Sequence, residues 1–600
     1  MSIISSKSSS LPTPSTSSGL THSRDAVKDL ILRCRTPIER DVVVVLDRLE
    51  KDGNVRLYER FLHMIQEEDF NDSQLIVMLE QSIKCVPRLQ QHFRGFVEVM
   101  TGIDWTKRPP DVIKHYQTFI MDLLIAHQRY TNLVVSRLIS YFIPKEDQRD
   151  QWKHGIPESN LKIRLQMVHK FIQQLLNVIP MMFQTLFQQI SQWFPFYKKP
   201  SHVFGGYIYN LLLITEYRPI YQEDILSLIV SKLLELDVSI SRHEIEDSEI
   251  TEDDEQFEEL DVKPIDILTA NLPEDEMRYP LAESLDVGLN LLFDYVKREI
   301  DSFEGDVTKL NKFYNMFSKI FEFELLPTHN SHHVQFIIFY LCSFEPAFVE
   351  KFMNILWVHV RDFNLAPALR QAAIGYLCSF LARSRYVPQP LLRSTLSDMC
   401  TWVHQYIDRS DCVNNNSIKA HTVFYAVCQA IFYVIAFRSR DLTSDRRGLI
   451  FLQSLQLQAI VTSQLNPLRV CLPAIATTFA GVMRAHQLAY CHTILERNAR
   501  RKLATVYSNG AQAPDECLET FFPFDPYLLK KSGKRMNDLY IQYQAEDFHD
   551  SSHDSQHLNH SETSPRGVKR EITTNTEEDD FISPYIQSKR IKAQDEHELL

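Results

Sequence analysis

The residues whose types and spacing could do chemistry fall into a few short clusters. His329, His332 and His333 lie together in Pro327-Thr328-His329-Asn330-Ser331-His332-His333, a density of imidazole that could ligate a metal. The nearby acids Glu322 and Glu324 have the character of surface residues, so helix entry and packing are the better reading of the three histidines. His486 and His492 are six apart, which does not bring them to one helix face. Cations gather in three places. Lys198 and Lys199 close the aromatic stretch Trp193-Phe194-Pro195-Phe196-Tyr197. Arg497, Arg500, Arg501 and Lys502 follow an expected helix, His486–Leu495. Lys530, Lys531, Lys534 and Arg535 follow Phe521-Phe522-Pro523-Phe524-Asp525-Pro526. Each cluster could dock an acidic protein surface or a phosphate backbone, or merely favour a helix C-terminus.

Catalytic constellations are absent from the sequence. No G-x-G-x-x-G, G-x-x-x-x-G-K-[ST], H-E-x-x-H, G-x-S-x-G or kinase signature occurs. Gly is 15 of 600 residues, far below the average of roughly 7%, which disfavours folds that cradle phosphates on glycine loops. The carboxylates of the acidic run Glu244–Asp261 are abundant, but a solvated run cannot position a general acid. No enzyme activity, no metal and no cofactor are expected. Ser-Pro and Thr-Pro pairs at Thr13, Thr36, Ser564 and Ser583 are candidate sites for proline-directed kinases.

The elements that must position these groups read as helices. Leu161, Leu165, Val168, Ile172 and Leu175 step by four and three, with Lys162, Arg164, Lys170 and Gln173 between them. Ile225, Ile229, Leu233 and Leu236 repeat the pattern with Ser227, Ser231, Lys232 and Glu235 facing away; both are amphipathic helices with one buried face. Prolines at 144, 157, 180, 195, 200 and 219 punctuate the chain at helix-length intervals. Period-2 strand patterns are scarce, and the apolar run Val42–Leu46 is too short to decide. Gln335-x-x-Ile338-x-Tyr340-Leu341-Cys342-Ser343-Phe344 recurs as Gln371-x-x-Ile374-x-Tyr376-Leu377-Cys378-Ser379-Phe380, 36 residues on. That period fits a helix pair, and stacked pairs make an α-solenoid. The expectation is all-α, an irregular HEAT-repeat solenoid.

The net charge of −13 is unevenly placed: −11 lies in Glu244–Asp261 and −7 in Glu546–Leu600, leaving +5 for the remainder. This is not the basic footprint of an autonomous nucleic-acid binder. The expected organisation is a disordered arm over 1–24, a helical array over 25–242, an acidic loop over 243–272, a second array over 273–545 and a disordered tail over 546–600. The ten cysteines include no C-x-x-C pair and read as buried free thiols. The first 19 residues lack the apolar core of a signal peptide, and Val423–Phe437 is shorter than the ~20 residues of a membrane span, so it reads as a buried helix. A soluble, intracellular protein is expected, with no membrane partner. Lys569-Arg570 and Lys589-Arg590-Ile591-Lys592 are candidate nuclear import clusters.

Several strings together resemble the RNA polymerase I-specific initiation factors of the TIF-IA family. They include Leu325-Leu326-Pro327-Thr328-His329, Val334-Gln335-Phe336 to Phe344, Arg370-Gln371-Ala372-Ala373 to Tyr376 and Ser379-Phe380-Leu381-Ala382-Arg383. Phe424-Tyr425-Ala426-Val427-Cys428-Gln429-Ala430, Ser463-Gln464-Leu465-Asn466-Pro467-Leu468, Ile494-Leu495-Glu496-Arg497-Asn498 and Phe521–Pro526 continue the series. Upstream, Asn210-Leu211-Leu212 and Lys232 to Val238 lead into the acidic run as that family does, so the resemblance covers roughly 160–545. It implies a HEAT-repeat factor without enzymatic activity, found in the nucleus and nucleolus. Such a factor binds RNA polymerase I through a stalk subunit, bridges it to promoter-bound initiation factors at ribosomal DNA and is regulated by phosphorylation. The polymerase-facing segment would be Phe194–Asn210, with Lys198, Lys199 and the acceptor Ser201; Val203 stands where some relatives carry a hydroxyl residue. The promoter-factor contact would fall around Phe479–Glu496, with Arg484, His486 and the adjoining Arg497. A weak direct DNA contact is an open alternative, and oligomeric state is undetermined. The competing reading is a HEAT-repeat nuclear transport or scaffold protein with no role in transcription.

Overall fold

The computed structural model describes residues 41–67, 70–249, 273, 275–409, 418–509, 518 and 521–543. The expected arm, the import clusters and the candidate sites Thr13, Thr36, Ser564 and Ser583 lie outside these residues, as does the acidic stretch from 250 to 272. The described chain is helical almost throughout and forms two compact units. One runs to Tyr141 and resumes over Asn160–Trp193; the other comprises Phe142–Ser159 and the chain from Phe194 onward. The sequence reading divided the arrays at the acidic stretch. Compactness does not, because helices on either side of that stretch pack on one another within the second unit.

The first unit holds α1 (Val42–Asp52), α2 (Val55–Glu67), α3 (Asp72–Cys85), α4 (Arg94–Thr101), α5 (Pro110–Ala126), α6 (Thr131–Ser140), α7 (Ser159–Val178) and α8 (Met182–Gln192). Asp41 starts α1 by accepting from the backbone N–H groups of Val43 and Val44, which turns the undecided Val42–Leu46 run into a capped helix. α1 packs on α3, α2 on α4, α3 on α5 and α6 on α8. In these pairs a helix meets its second neighbour in the chain, the stacking of a solenoid. Trp105 is fully buried, stacked on Tyr116 at 5.6 Å and edge-on to Phe171 at 5.8 Å. α7 buries Leu165, Val168, Ile172 and Leu175, as the periodicity predicts.

The second unit opens with a two-residue hairpin, β1 (Trp152–Lys153) against β2 (Ile156–Pro157). His154 and Gly155 turn it with φ of 51° and 77°, the pair of positive angles that tight hairpins use. Next come α9 (Ser201–Tyr217), α10 (Gln222–Ser239), α11 (Arg242–Glu249), α12 (Pro280–Ser302), α13 (Val307–Ile320), α14 (Phe336–Cys342), α15 (Pro346–Arg361) and α16 (Pro367–Arg383). The series ends with α17 (Gln389–Ile407), α18 (Thr422–Phe437), α19 (Ser439–Thr443), α20 (Arg446–Ser454), α21 (Leu457–Val461), α22 (Pro473–Ala485), α23 (His492–Asn509) and α24 (Lys530–Gly533). Proline at the first helical position begins α12, α15, α16 and α22, where its missing N–H costs nothing.

α11 corrects the expectation of a loop from 243. Ser241 and Glu244 form a reciprocal cap, Glu244 N–H to Ser241 Oγ at 3.2 Å and Ser241 N–H to Glu244 Oε2 at 3.0 Å, and Ile245 is buried. A capping box outweighs the local charge density. The Val423–Phe437 run is the buried α18, whose Gln429 side chain accepts from Leu472 N–H at 2.8 Å. The two copies of the 36-residue repeat fall on α14 and α16, with the Phe339 and Phe380 rings 5.7 Å apart. Cys85, Cys342, Cys378, Cys400, Cys428, Cys471 and Cys491 are buried free thiols; burial pushes Cys400 and Cys491 up to about 12.

Candidate interaction surfaces

The Phe194–Asn210 segment is an exposed loop running into the largely buried start of α9. The Phe194 ring packs edge-on against Phe204 at 5.6 Å and Tyr207 at 5.1 Å, so the loop is fixed to α9 at its start. Pro200 then gives α9 its entry angle, and Ser201 is the first helical residue. Between these anchors the loop projects Phe196, 59% exposed, with its ring against Tyr197 at 4.3 Å. Lys198 stands over the Tyr197 ring at 6.0 Å, and Lys199 Nζ meets Glu146 Oε1 at 2.6 Å. That hydrogen bond, with the Lys199 charge behind it, holds the Glu146 carboxyl below its ordinary range. The structure therefore brings Lys198, Lys199 and Ser201 together, beside an exposed aromatic. Val203 is 3% exposed, so a hydroxyl at that position would face the core.

Arg484, His486 and Arg497 flank a turn between consecutive helices. α22 ends with Gln487 at φ 53°, and Leu488 N–H reaches back to Met483 O at 2.9 Å, a helix-ending turn usually built on glycine. Arg484 is exposed at the end of α22 and His486 half-buried at its cap; Tyr490 beyond is 81% exposed. Arg497 projects into solvent from α23, and its neighbour Asn498 anchors that helix through a 2.7 Å bond with Asn466. The three residues thus lie on the end of α22, its cap and the second turn of α23.

The third cation cluster is taken up in ion pairs within the fold, Lys531 buried and Lys534 exposed. Residues 521–543 form a strap across α12, α14 and α16. Phe524 is fully buried among Phe336, Phe339, Tyr376 and Phe380, with centroids at 5.3, 5.1, 5.8 and 5.9 Å. Ser379 Oγ accepts from Phe524 N–H at 3.0 Å, Tyr540 OH donates to Phe524 O at 2.9 Å, and Gln335 Nε2 donates to Pro523 O at 2.5 Å. Past this pit, the fully buried Asp286 of α12 receives Lys531 N–H at 2.7 Å, Ser532 N–H at 2.8 Å and Ser532 Oγ at 2.5 Å. Lys531 pairs with Glu283, Lys534 with Asp275 and Arg535 with Asp294, while Lys530 Nζ meets Glu249 Oε2 at 2.5 Å. Burial pushes Glu283 up despite its lysine partner. Glu283, Asp286, Asn290 and Asp294 stand three, four and four residues apart, one face of α12. That stripe was the available signal for the strap's partner, and the sequence reading did not use it.

The three histidines part ways. Asp237 of α10 is wholly buried. Its Oδ2 receives the backbone N–H groups of His332, His333 and Val334 at 2.9, 2.8 and 3.1 Å, and its Oδ1 meets His333 Nδ1 at 2.8 Å. Burial alone would raise this carboxyl, but the His333 ring and the converging N–H groups hold it below its ordinary value. His333 packs on Tyr527 and His329 on Phe521, at 5.3 and 5.4 Å. Helix entry and packing are therefore their roles, as the sequence favoured, and no three His, Cys, Asp or Glu side chains converge as a metal site among the described residues.

The sequence profile of the family described as "RNA polymerase I specific transcription initiation factor RRN3" matches residues 35–547. The chain is 34% identical to RNA polymerase I-specific transcription initiation factor RRN3 of Mus musculus, over 82% of this chain and 78% of that protein. It is 26% identical to the Schizosaccharomyces pombe factor of the same description, over 82% and 84%. A crystal structure of RNA polymerase I transcription initiation factor Rrn3 superposes with a TM-score of 0.66 at 21% identity, covering 84% of this chain and 97% of that one, and shares the all-α fold. These factors are not enzymes, which agrees with the absence of catalytic motifs. A chain matched over most of its length, with inward strap and outward loops on one helical scaffold, belongs to the RRN3 family of RNA polymerase I-specific transcription initiation factors.

Proposed function

We propose that this chain acts in the nucleus and nucleolus by holding RNA polymerase I, through a stalk subunit, and joining it to promoter-bound initiation factors at ribosomal DNA. The observation that carries this reading is the Phe196–Ser201 stretch: an exposed aromatic and two cations, locked to α9 by Phe194. An exposed aromatic is the kind of residue that anchors an interface core, and lysines beside it suit the polar rim, where they steer an acidic partner. The turn flanked by Arg484, His486 and Arg497 is the second contact, and a stacked helical scaffold suits two large partners engaged at once. Phosphorylation at Ser201 would place charge at the first turn of a long helix, which tolerates it. Its effect is therefore on docking, by repulsion and desolvation at the partner surface. A tagged full-length chain should recover polymerase I subunits, including the stalk, from nuclear extract, as read by mass spectrometry. Phe196→Ala with Lys198→Ala should reduce that recovery at least tenfold while the promoter factors are retained. Recovery unchanged by the double variant would refute this stretch as the polymerase contact, and recovery of transport factors alone would refute the function.

A further inference from the structure

α13 continues into a single π turn, Phe321–Leu325, in which Leu326 N–H reaches Phe321 O at 2.8 Å. Such turns are rare and recur at functional sites. Phe321 and Leu325 are buried, and the Phe321 ring meets Phe352 and Tyr376 edge-on at 5.0 and 4.9 Å. Phe323, midway between them, points away from that core and is 78% exposed. Glu322 and Glu324 flank it, and both are held in place. Ser318 Oγ donates to Glu322 Oε1 at 3.4 Å, His359 Nε2 stands 3.6 Å from Glu322 Oε2, and Ser227 Oγ donates to Glu324 Oε1 at 3.0 Å.

Glu322 is also one wall of a cavity of about 440 Å³ between α13 and α15, lined further by Tyr314, Ile355, Val358 and His359. Val358 at its mouth is 50% exposed. The cations close by are committed elsewhere. Lys319 pairs with Glu223, while Lys351 lies over the Tyr314 ring at 5.6 Å and donates to Asn311. Among the described residues no lysine or arginine pairs with Glu322 or Glu324. An aromatic ring set between two such carboxylates suits a guanidinium. Its flat face lies on the ring, its N–H fork meets carboxylate oxygens, and it is more weakly hydrated than an ammonium. A bulky aliphatic side chain beside that arginine fits the cavity against Ile355 and Val358. The same carboxylates repel the phosphates of nucleic acid and anionic lipid, so the complementary partner is protein.

We propose that Glu322, Phe323 and Glu324, with the α13–α15 cavity, dock a partner-protein segment carrying arginine beside a bulky aliphatic residue. The test uses the full-length chain. The probe is a fluorescent, benzophenone-bearing peptide with two leucine–arginine pairs separated by glycine, and a twin has lysine for arginine. Photocrosslinks of the arginine probe should map to 322–324 and 354–359. Phe323→Ala, and Glu322→Gln with Glu324→Gln, should each weaken its binding about tenfold, the effect of losing one anchor. The lysine twin should bind the wild type about tenfold more weakly, having no planar fork to stack and pair. The Phe323→Ala melt should match the wild type, since the ring is exposed, so the loss is of docking and not of folding. Crosslinks confined to the acidic run Glu244–Asp261, equal affinity for the two peptides, or affinity unchanged by both variants overturns the proposal. Crosslinking of a Phe323→benzoylphenylalanine chain to a second copy of itself overturns it in favour of self-association.

Discussion

Replacing Gly375 with alanine separates two opposed effects. Gly375 lies in the interior of α16, where alanine is favoured over glycine by about 1 kcal/mol on helix propensity alone. A Cβ there would stand 2.6 Å from the Phe521 carbonyl oxygen and 3.9 Å from Pro523 Cδ. The neighbour is backbone, held by the Ser379 bond to Phe524 and the Gln335 bond to Pro523, so the strap must move by several tenths of an ångström. Overpacking of this kind costs about 1 to 3 kcal/mol, and a fixed oxygen places it at the upper end. The net expectation is a loss of about 2 kcal/mol, borne by strap docking. Two kcal/mol raises the undocked population roughly 30-fold, and proteolysis tracks that population when opening is fast. Trypsin should therefore cleave Gly375→Ala roughly 30-fold faster at Lys530, Lys531, Lys534 and Arg535. Cleavage at the wild-type rate, or a melting temperature raised as propensity alone dictates, would refute the close approach.

Three further outcomes follow. Asp286→Ala leaves Lys531 N–H, Ser532 N–H and Ser532 Oγ without their buried acceptor, a loss on the order of 3 kcal/mol or more; a urea midpoint unchanged from wild type would disprove it. Asp237 titrates below its ordinary value in the fold. Its stabilisation is therefore complete above the unfolded value of about 3.9 and is lost as pH falls through the lower folded value. The stability gap between wild type and Asp237→Asn should accordingly be large at pH 7 and shrink below about pH 4; urea titrations at several pH values test this, and a pH-independent gap contradicts it. Ser201→Asp should leave the thermal melt unchanged or slightly raised, since a carboxylate at a helix N-terminus contributes about 0.3 to 1 kcal/mol; a lowered melt would mean the residue acts on folding rather than on docking.

Local order was legible because it is written in local spacing. The stripes Leu165–Leu175 and Ile225–Leu236 identify α7 and α10, and the duplicated Gln-x-x-Ile-x-Tyr-Leu-Cys-Ser-Phe string marks α14 and α16 as equivalent. The placing of Lys198, Lys199 and Ser201 side by side needs no fold to see, because they are nearly contiguous in the chain. The strap's docking was not, since its partners lie about 245 residues away and no periodicity encodes a pairing at that range. The cations at 530–535 could be read only as a docking cluster or as helix C-terminal charges, whereas Lys531 and Arg535 pair with Glu283 and Asp294 on the α12 stripe around the buried Asp286. The hairpin at Trp152–Pro157 escaped notice because two-residue strands carry no alternation, and Ser241-x-x-Glu244 because the acids beyond it dominated the stretch.

The strap also sets a timetable for biosynthesis. Asp286 leaves the ribosome 245 residues before Lys531, a gap of about 12 to 50 s at the usual 5 to 20 residues per second. Throughout that interval Asp286 has none of its donors, and once Phe380 has been made the aromatic pit of Phe336, Phe339, Tyr376 and Phe380 waits a further 144 residues for Phe524 to fill it. The nascent chain therefore displays an uncovered apolar groove beside a bare carboxylate, a form that invites aggregation and chaperone binding. Supply of this factor to the cell is thus tied to how well that half-minute is guarded, and a chain broken off ahead of Phe521 never leaves the vulnerable state.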